Sequence, residues 1–198
     1  MGTQSERREY AKTTRRRQQI VDAASEVFSR AGFLNASLAE IAAAAEISVA
    51  GLNHHFPTKT VLLEAVLDQR DKEAETYFEG ARGIDLLRAL LDLAERDQAN
   101  PEATRFFAVM SAEATADDHP ANAYFNTRYE MILKSVEGAF REAQADGALR
   151  PDVEPIEAAR AYVALSDGLQ VQSLYQPGSF SQATITRKML SALLLDSL

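Results

Sequence analysis

SLAEIAAAAEISVAGLNHHFPTK, from Ser37 to Lys59, is the stretch whose reading decides the fold. Ser37 and Glu40 stand in the S-x-x-E spacing of a capping box, in which each side chain satisfies a backbone N–H at the start of a helix. Leu38, Ile41, Ala42 and Ala45 then fall at i, i+3, i+4 and i+7, one apolar face. Ser48 is placed to cap a second helix, whose Val49, Leu52 and Phe56 repeat at helical spacing towards the same core. Ala50, Asn53, His54 and the N-terminal amides of that second helix are left outward. Two capped helices joined by a short turn make a helix-turn-helix, a geometry that places its second helix in the major groove of DNA.

The flanking sequence strengthens the reading. A basic cluster and an amphipathic stretch, RRRQQIVDAASEVFSRAGF, precede the two short helices, and HHFPTK with an apolar run follows them. Thr13 or Thr14 is placed to cap a first helix with Ile20, Ala24, Val27, Phe28 and Ala31 on one side and Gly32 as its stop. Residues Ile20, Ala23, Ala24, Phe28, Gly32, Phe33, Ser37, Leu38, Ile41, Ala42, Ala45, Ser48, Leu52, His55, Phe56, Lys59 and Leu62 carry a resemblance to the TetR family of bacterial transcriptional regulators. The resemblance covers about the first third of the chain; beyond it only the layout is similar.

That resemblance implies an all-α protein with an N-terminal three-helix DNA-binding domain (residues 1–58, with a basic arm). It also implies a C-terminal helical ligand-binding and dimerisation domain (residues 59–198). It assigns DNA contact to Arg15, Arg16, Arg17, Ser37, Ser48, Val49, Ala50, Gly51, Asn53, His54, His55, Thr58 and Lys59. Among these, Arg15 to Arg17, Thr58 and Lys59 are expected to hold phosphates, and Asn53 and His54 to read bases. Two residues depart from the family pattern. Glu46 occupies the turn where the family usually has Gly, and a left-handed non-Gly residue there costs about 1–2 kcal/mol. Asn53 stands where the family usually has Tyr, which generally touches a phosphate or a thymine methyl. Asn can instead bond adenine in a bidentate way, worth about 1–3 kcal/mol of discrimination.

Composition sets the class of protein. The chain has 198 residues, 46% hydrophobic and 25% charged, with nine Gly, six Pro and no Cys. Ala, Leu, Glu, Arg and Gln dominate, which favours helix, and the lack of Cys excludes disulfides and thiolate chemistry. No apolar run reaches the length of a membrane span, and the N-terminus lacks an export signal, so a cytoplasmic protein is expected. The net charge of −8 divides unevenly. Residues 1–60 hold eight basic and six acidic side chains, net +2, leaving thirteen basic and twenty-three acidic, net −10, for the remainder. With a Debye length of about 8 Å, DNA should feel the local positive charge, while the acidic body suppresses nonspecific adhesion.

The second domain reads as a succession of helices. Leu86, Leu87, Leu90 and Leu91 mark one, and Phe106, Phe107 and Met110 another. Phe125, Tyr129, Ile132, Leu133, Val136 and Phe140 mark a long third. Asp167 is the one charge between Arg160 and Arg187, so the helix there is expected to be covered on more than one side. The resemblance implies that the last two helices pair with those of a second copy, forming a homodimer. Tyr162, Ser166, Gln170 and Ser173 make a polar stripe on that helix, and buried polar groups need partners. Phe106, Phe107, Met110, Tyr124, Tyr129, Tyr162, Ser166, Asp167 and Gln170 are the candidate effector-binding residues.

Other chemistries find little support. His54, His55 and His119 are the three imidazoles, without Cys, and adjacent residues of a helix point about 100° apart; no metal and no cofactor is expected. No nucleophile motif, zinc-protease motif or phosphate loop is present, so an enzyme is not expected. The sequence therefore describes a homodimeric regulator that binds a double-stranded DNA operator and is released by a small-molecule effector. The alternative is a ligand-binding or interaction module that keeps the helix-turn-helix without using it on DNA.

Overall fold

The first helix begins earlier than the apolar spacing predicts. In this computed structural model, which describes residues 4–78 and 80–195 (side chains of 4–10 and 73–77 excepted), helix α1 runs Gln4–Asn35. Thr13 and Thr14 lie inside it, not at its cap. The reason is local: residues 4–14 are mostly Gln, Glu, Arg, Lys and Ala without Gly or Pro, so nothing stops the helix from extending. Arg7 and Arg8 of the basic arm, and Tyr77, have side chains outside those described. Gly32 does interrupt α1, with φ 75° and ψ 171°, a conformation open to Gly because it has no Cβ.

Helices α2 (Leu38–Ala44) and α3 (Val49–His55) form the expected pair. Ser37 Oγ accepts the Glu40 N–H at 3.1 Å. The Glu40 carboxylate accepts both the Ser37 N–H and its hydroxyl, at 3.1 and 3.0 Å. These bonds, the backbone one first, hold the Glu40 carboxyl below its ordinary pKa. The turn closes with Ile47 N–H on Ala42 O (2.9 Å) and Glu46 N–H on Ala43 O (3.1 Å), the paired bonds of a Schellman motif. That motif needs a left-handed residue, and Glu46 supplies it at φ 54°. Ser48 Oγ then caps α3 by accepting the Gly51 N–H at 3.1 Å.

Helix α4 (Lys59–Phe78) follows, capped by Thr58 Oγ1, which accepts the Val61 N–H at 3.2 Å. Ile20, Phe28, Ile41, Leu52, Phe56 and Leu62 are fully buried and form the core of the N-terminal unit, Met1–Lys72. The boundary between the two compact units thus lies within α4. Leu62, Leu63, Val66 and Leu67 are buried, and Gln69 and Arg70 hydrogen-bond Gln18 and Ser25 of α1 at 2.6 and 2.9 Å, which ties this part of α4 to the first unit.

The second unit, Glu73–Leu198, holds α5 (Gly83–Ala99), α6 (Pro101–Glu113), α7 (Asn122–Ala145), α8 (Pro155–Tyr175) and α9 (Gln182–Leu193). Its core joins α5, α7, α8 and α9 through Leu87, Phe140, Ala143, Ala159 and Leu190, all fully buried. Asn100 caps α6 by accepting the Ala103 N–H at 3.2 Å. Leu149 and Leu194 form an antiparallel bridge in this unit. No described helix is long and apolar enough to cross a membrane.

Two variants test this account. Phe56→Ala should lower stability by about 3–5 kcal/mol and abolish DNA binding by unfolding the head; a folded variant with unchanged affinity contradicts it. Glu46→Gly removes about 1–2 kcal/mol of left-handed strain against about 0.4–1 kcal/mol of added unfolded-chain freedom. The thermal midpoint should therefore rise with Glu46→Gly and not with Glu46→Ala, which keeps the strain.

Candidate functional site

The outward side of α3 is open. Leu52 is fully buried beneath it, while Val49 is 40% exposed and Ala50, Asn53 and His54 are exposed. The bare surface of Ala50 and the half-buried Gly51 keep bulk out of the way, so Asn53 and His54 are the polar side chains that project from this helix. His55 is half-buried. Burial first, then the charges of His54, Arg17 and Arg16, hold the His55 imidazole below its ordinary pKa. That dependence places Arg16 and Arg17 within electrostatic reach of the end of α3. Arg17 also donates to His55 O at 3.1 Å and lies 4.1 Å above the Phe56 ring. Arg15 is exposed beside them.

The three hydroxyls assigned to DNA act as caps. Ser48 and Thr58 accept backbone N–H groups and keep their own O–H protons for an outside acceptor. Ser37 differs: its proton is already on Glu40. Lys59 differs more, because its side chain is engaged within the protein. Its ammonium donates to Phe33 O, Leu34 O and Ala36 O at 2.6, 3.3 and 2.8 Å. It also lies 4.5 Å over the Phe33 ring. An ammonium has three protons, and all three point into the protein.

In the second unit, the polar stripe of α8 finds partners on neighbouring helices. Gln170 donates to Asp97 of α5 at 2.7 Å, and the Tyr129 hydroxyl of α7 donates to Asp167 at 2.9 Å. Gln182 of α9 donates to Ser173 at 2.9 Å. Tyr162 is buried, which raises its pKa; a hydrogen bond with Ser166 opposes the shift, and the charges of Asp97 and Asp167 add to it. The two carboxylates therefore both act on one phenol. Burial, then Asp167, pushes Tyr129 up to about 12. Desolvation likewise raises Asp97 and Asp167, against the opposing pull of Arg128 and their hydrogen bonds. The Arg128 guanidinium sits 4.6 Å over the half-buried Phe107.

Not all expected effector residues join this cluster. Phe106 and Met110 are fully buried core side chains, and half-buried Tyr124 stacks edge-on against Phe125 at 5.1 Å. Sequence reading missed Asp97 and Arg128. Asp97 lies in the run Glu95-Arg96-Asp97-Gln98, which looks like a solvated helix end, and Arg128 is one polar residue among several in NTRYE. No periodicity sets either apart. On the other side of α8, Ala161, Ala164, Val171 (43%) and Tyr175 (84%) are exposed, along with the polar Asp167 and Gln172.

A capped helix-turn-helix with an open second helix, carried by a helical unit of its own core, defines a DNA-binding transcriptional regulator. Comparison with known proteins agrees. Residues 20–66 match the model of bacterial regulatory proteins of the tetR family, and residues 84–196 match that of the BetI-type transcriptional repressor C-terminal domain. The chain belongs to the TetR family. It is 29% identical to the HTH-type transcriptional regulator UidR of Escherichia coli over 190 residues, 91% of this chain and 94% of UidR. Among solved structures it is similar to GusR of Salmonella enterica, at 30% identity and TM-score 0.70, covering 90% of this chain and 95% of GusR. NalD of Pseudomonas aeruginosa, the secondary repressor of the MexAB-OprM multidrug efflux pump, gives 26% identity and TM-score 0.69 over 93% of this chain and 99% of NalD.

The raised carboxyls carry a pH prediction. A carboxyl whose folded pKa exceeds its unfolded one gives stability that is complete below the unfolded value and lost as pH rises through the folded value. Asp97, raised from 3.8, should thus let the second unit gain stability as pH falls from neutrality towards that ordinary value. Asp97→Asn keeps an oxygen for Gln170 and removes the charge. Its urea midpoint should exceed the wild type's at neutral pH, and the gap should close on acidification; a gap constant with pH counts against the assignment.

Proposed function

We propose that the chain acts as a homodimeric repressor whose two α3 helices occupy successive major grooves of an operator and which a small molecule releases. The observation that carries the reading is the open face of α3, with Asn53 and His54 outward and Leu52 buried, and with Arg16 and Arg17 acting on His55 at its end. In this reading the arginines, Ser48 and Thr58 hold phosphates, which position the helix, and Asn53 and His54 contact base edges, which specify the sequence. Val49, Ala50 and Gly51 let the helix approach closely. The outer sides of α8 and α9, the last two helices, pair with those of a second copy, which fixes the spacing of the half-sites.

The effector is assigned to the cluster of Tyr129, Tyr162, Ser166, Asp167 and Gln170, together with Asp97 and Phe107. It must bind the released state better than the DNA-bound one, since only differential affinity moves the equilibrium. Helix α4 crosses the unit boundary and is the covalent route between the two activities. The protein works by binding, without a catalytic step, and in the cytoplasm, where the chromosome is.

A mobility shift on the DNA flanking its own gene, repeated over a range of salt, tests the reading. Specific retention of a short near-palindrome is expected, with a steep fall in affinity as salt rises. Arg16→Gln should weaken all sequences alike, whereas Asn53→Ala should change which base is preferred at one position, a difference of about 1–3 kcal/mol. Equal effects of the two variants on every sequence would refute the division of roles. Absence of any specific binding would favour a module that retains the fold without an operator.

A further inference from the structure

We infer that Lys59 is a positioning residue of the DNA-binding head, which fixes where α2 and α3 start relative to α4, and is not a phosphate contact. The inference rests on the operator-binding reading but not on any ligand.

The geometry is that of a C-terminal cap reached from another helix. The carbonyls of a helix's last turn lack intrahelical partners and carry the negative end of its dipole. Gly32 breaks α1, so the segment from Phe33 to Ala36 presents its carbonyls together. Lys59, first residue of α4, meets three of them at 2.6, 3.3 and 2.8 Å, and its charge rests 4.5 Å over Phe33. Phe33 is 7% exposed and Ala36 3%, so water is a poor substitute for the ammonium there. Ser37, the cap of α2, comes directly after the pinned carbonyls. Whatever holds Ala36 therefore sets the origin of α2, and through the tight Glu46 turn that of α3.

Arg17 shows the contrast. It also turns towards the end of a helix, donating to His55 O at 3.1 Å. A guanidinium has five N–H donors, however, and Arg17 is exposed, so it retains protons for a phosphate. Lys59 retains none.

Two measurements separate pin from contact. The first uses the wild-type protein and acetic anhydride, with mass spectrometry reading each lysine in the free protein and with a duplex selected from a random pool. Lys59 should acetylate several-fold more slowly than the exposed Lys134 and Lys188 in the free protein, and DNA should leave its rate unchanged. A rate equal to theirs in the free protein, or protection that arrives only with DNA, overturns the inference. The second compares Lys59→Met with wild type. The variant should have a lower thermal midpoint and bind all sequences several-fold more weakly, yet keep the slope of log affinity against log salt. A slope reduced by about 0.9 for each lysine removed marks a lost phosphate contact and overturns the inference, as does a variant unchanged in both midpoint and affinity. If Lys59→Met does not fold, acetylation of the wild type decides. If the wild type binds no DNA, the operator reading fails, while acetylation of the free protein still tests the pin.

Discussion

Short helices have more loose ends than middle. A seven-residue helix such as α2 or α3 leaves four N–H groups at one end and four carbonyls at the other without internal partners, so most of its backbone polarity must be satisfied from outside. The N-terminal unit does this with side chains at nearly every terminus: Ser37, Ser48 and Thr58 at the starts, Lys59 and Arg17 at the ends of α1 and α3. Apolar packing alone would not suffice, because within α3 only Leu52 is buried. One buried side chain fixes depth but not rotation about the helix axis. Polar bonds at the two ends supply the rest, and with it the direction in which Asn53 and His54 point.

In the second unit the satisfaction of polar groups is lateral, between the sides of helices. Asp97 with Gln170, Tyr129 with Asp167 and Gln182 with Ser173 join α5, α7 and α9 to α8. Carboxylates lose hydration in such places, and the raised pKa values of Asp97 and Asp167 record that loss. The half-buried Asp97 and the exposed Asp167 both act on the Tyr162 phenol, with Arg128 as their nearby cation.

Much of the head was legible because its signals are local. The capping box, the left-handed Glu46 and the stop at Gly32 each depend on residues within a few positions of one another, and each is found in place. The early start of α1 was not legible from apolar spacing, since the sequence of residues 4–14 is mostly polar and carries no apolar period. The bonds of Lys59 to the end of α1 were not legible, because a cation at a helix start has the same appearance whether its proton meets a phosphate or a carbonyl twenty-odd residues away. Asp97 and Arg128 escaped for a related reason: their importance lies in which helices face each other, and helix packing is written in contacts, not in spacing. Tyr162 and Gln170 could be singled out in the sequence because polar residues at helical spacing contradict the expectation for a covered helix.

Helix α8 has two sides with different obligations. Inward it holds Tyr162, Ser166, Gln170 and Ser173; outward, from Ala161 to Tyr175, small and apolar side chains are exposed beside Asp167 and Gln172. A rigid rod cannot turn one side and leave the other still. If a second copy lies along the outer side, a rotation forced by an occupant on the inner side is delivered to the neighbour's own rod. The two binding events in a pair are then thermodynamically linked, and titration with an effector should depart from a simple hyperbola, with a Hill coefficient that reports the coupling through a single helix.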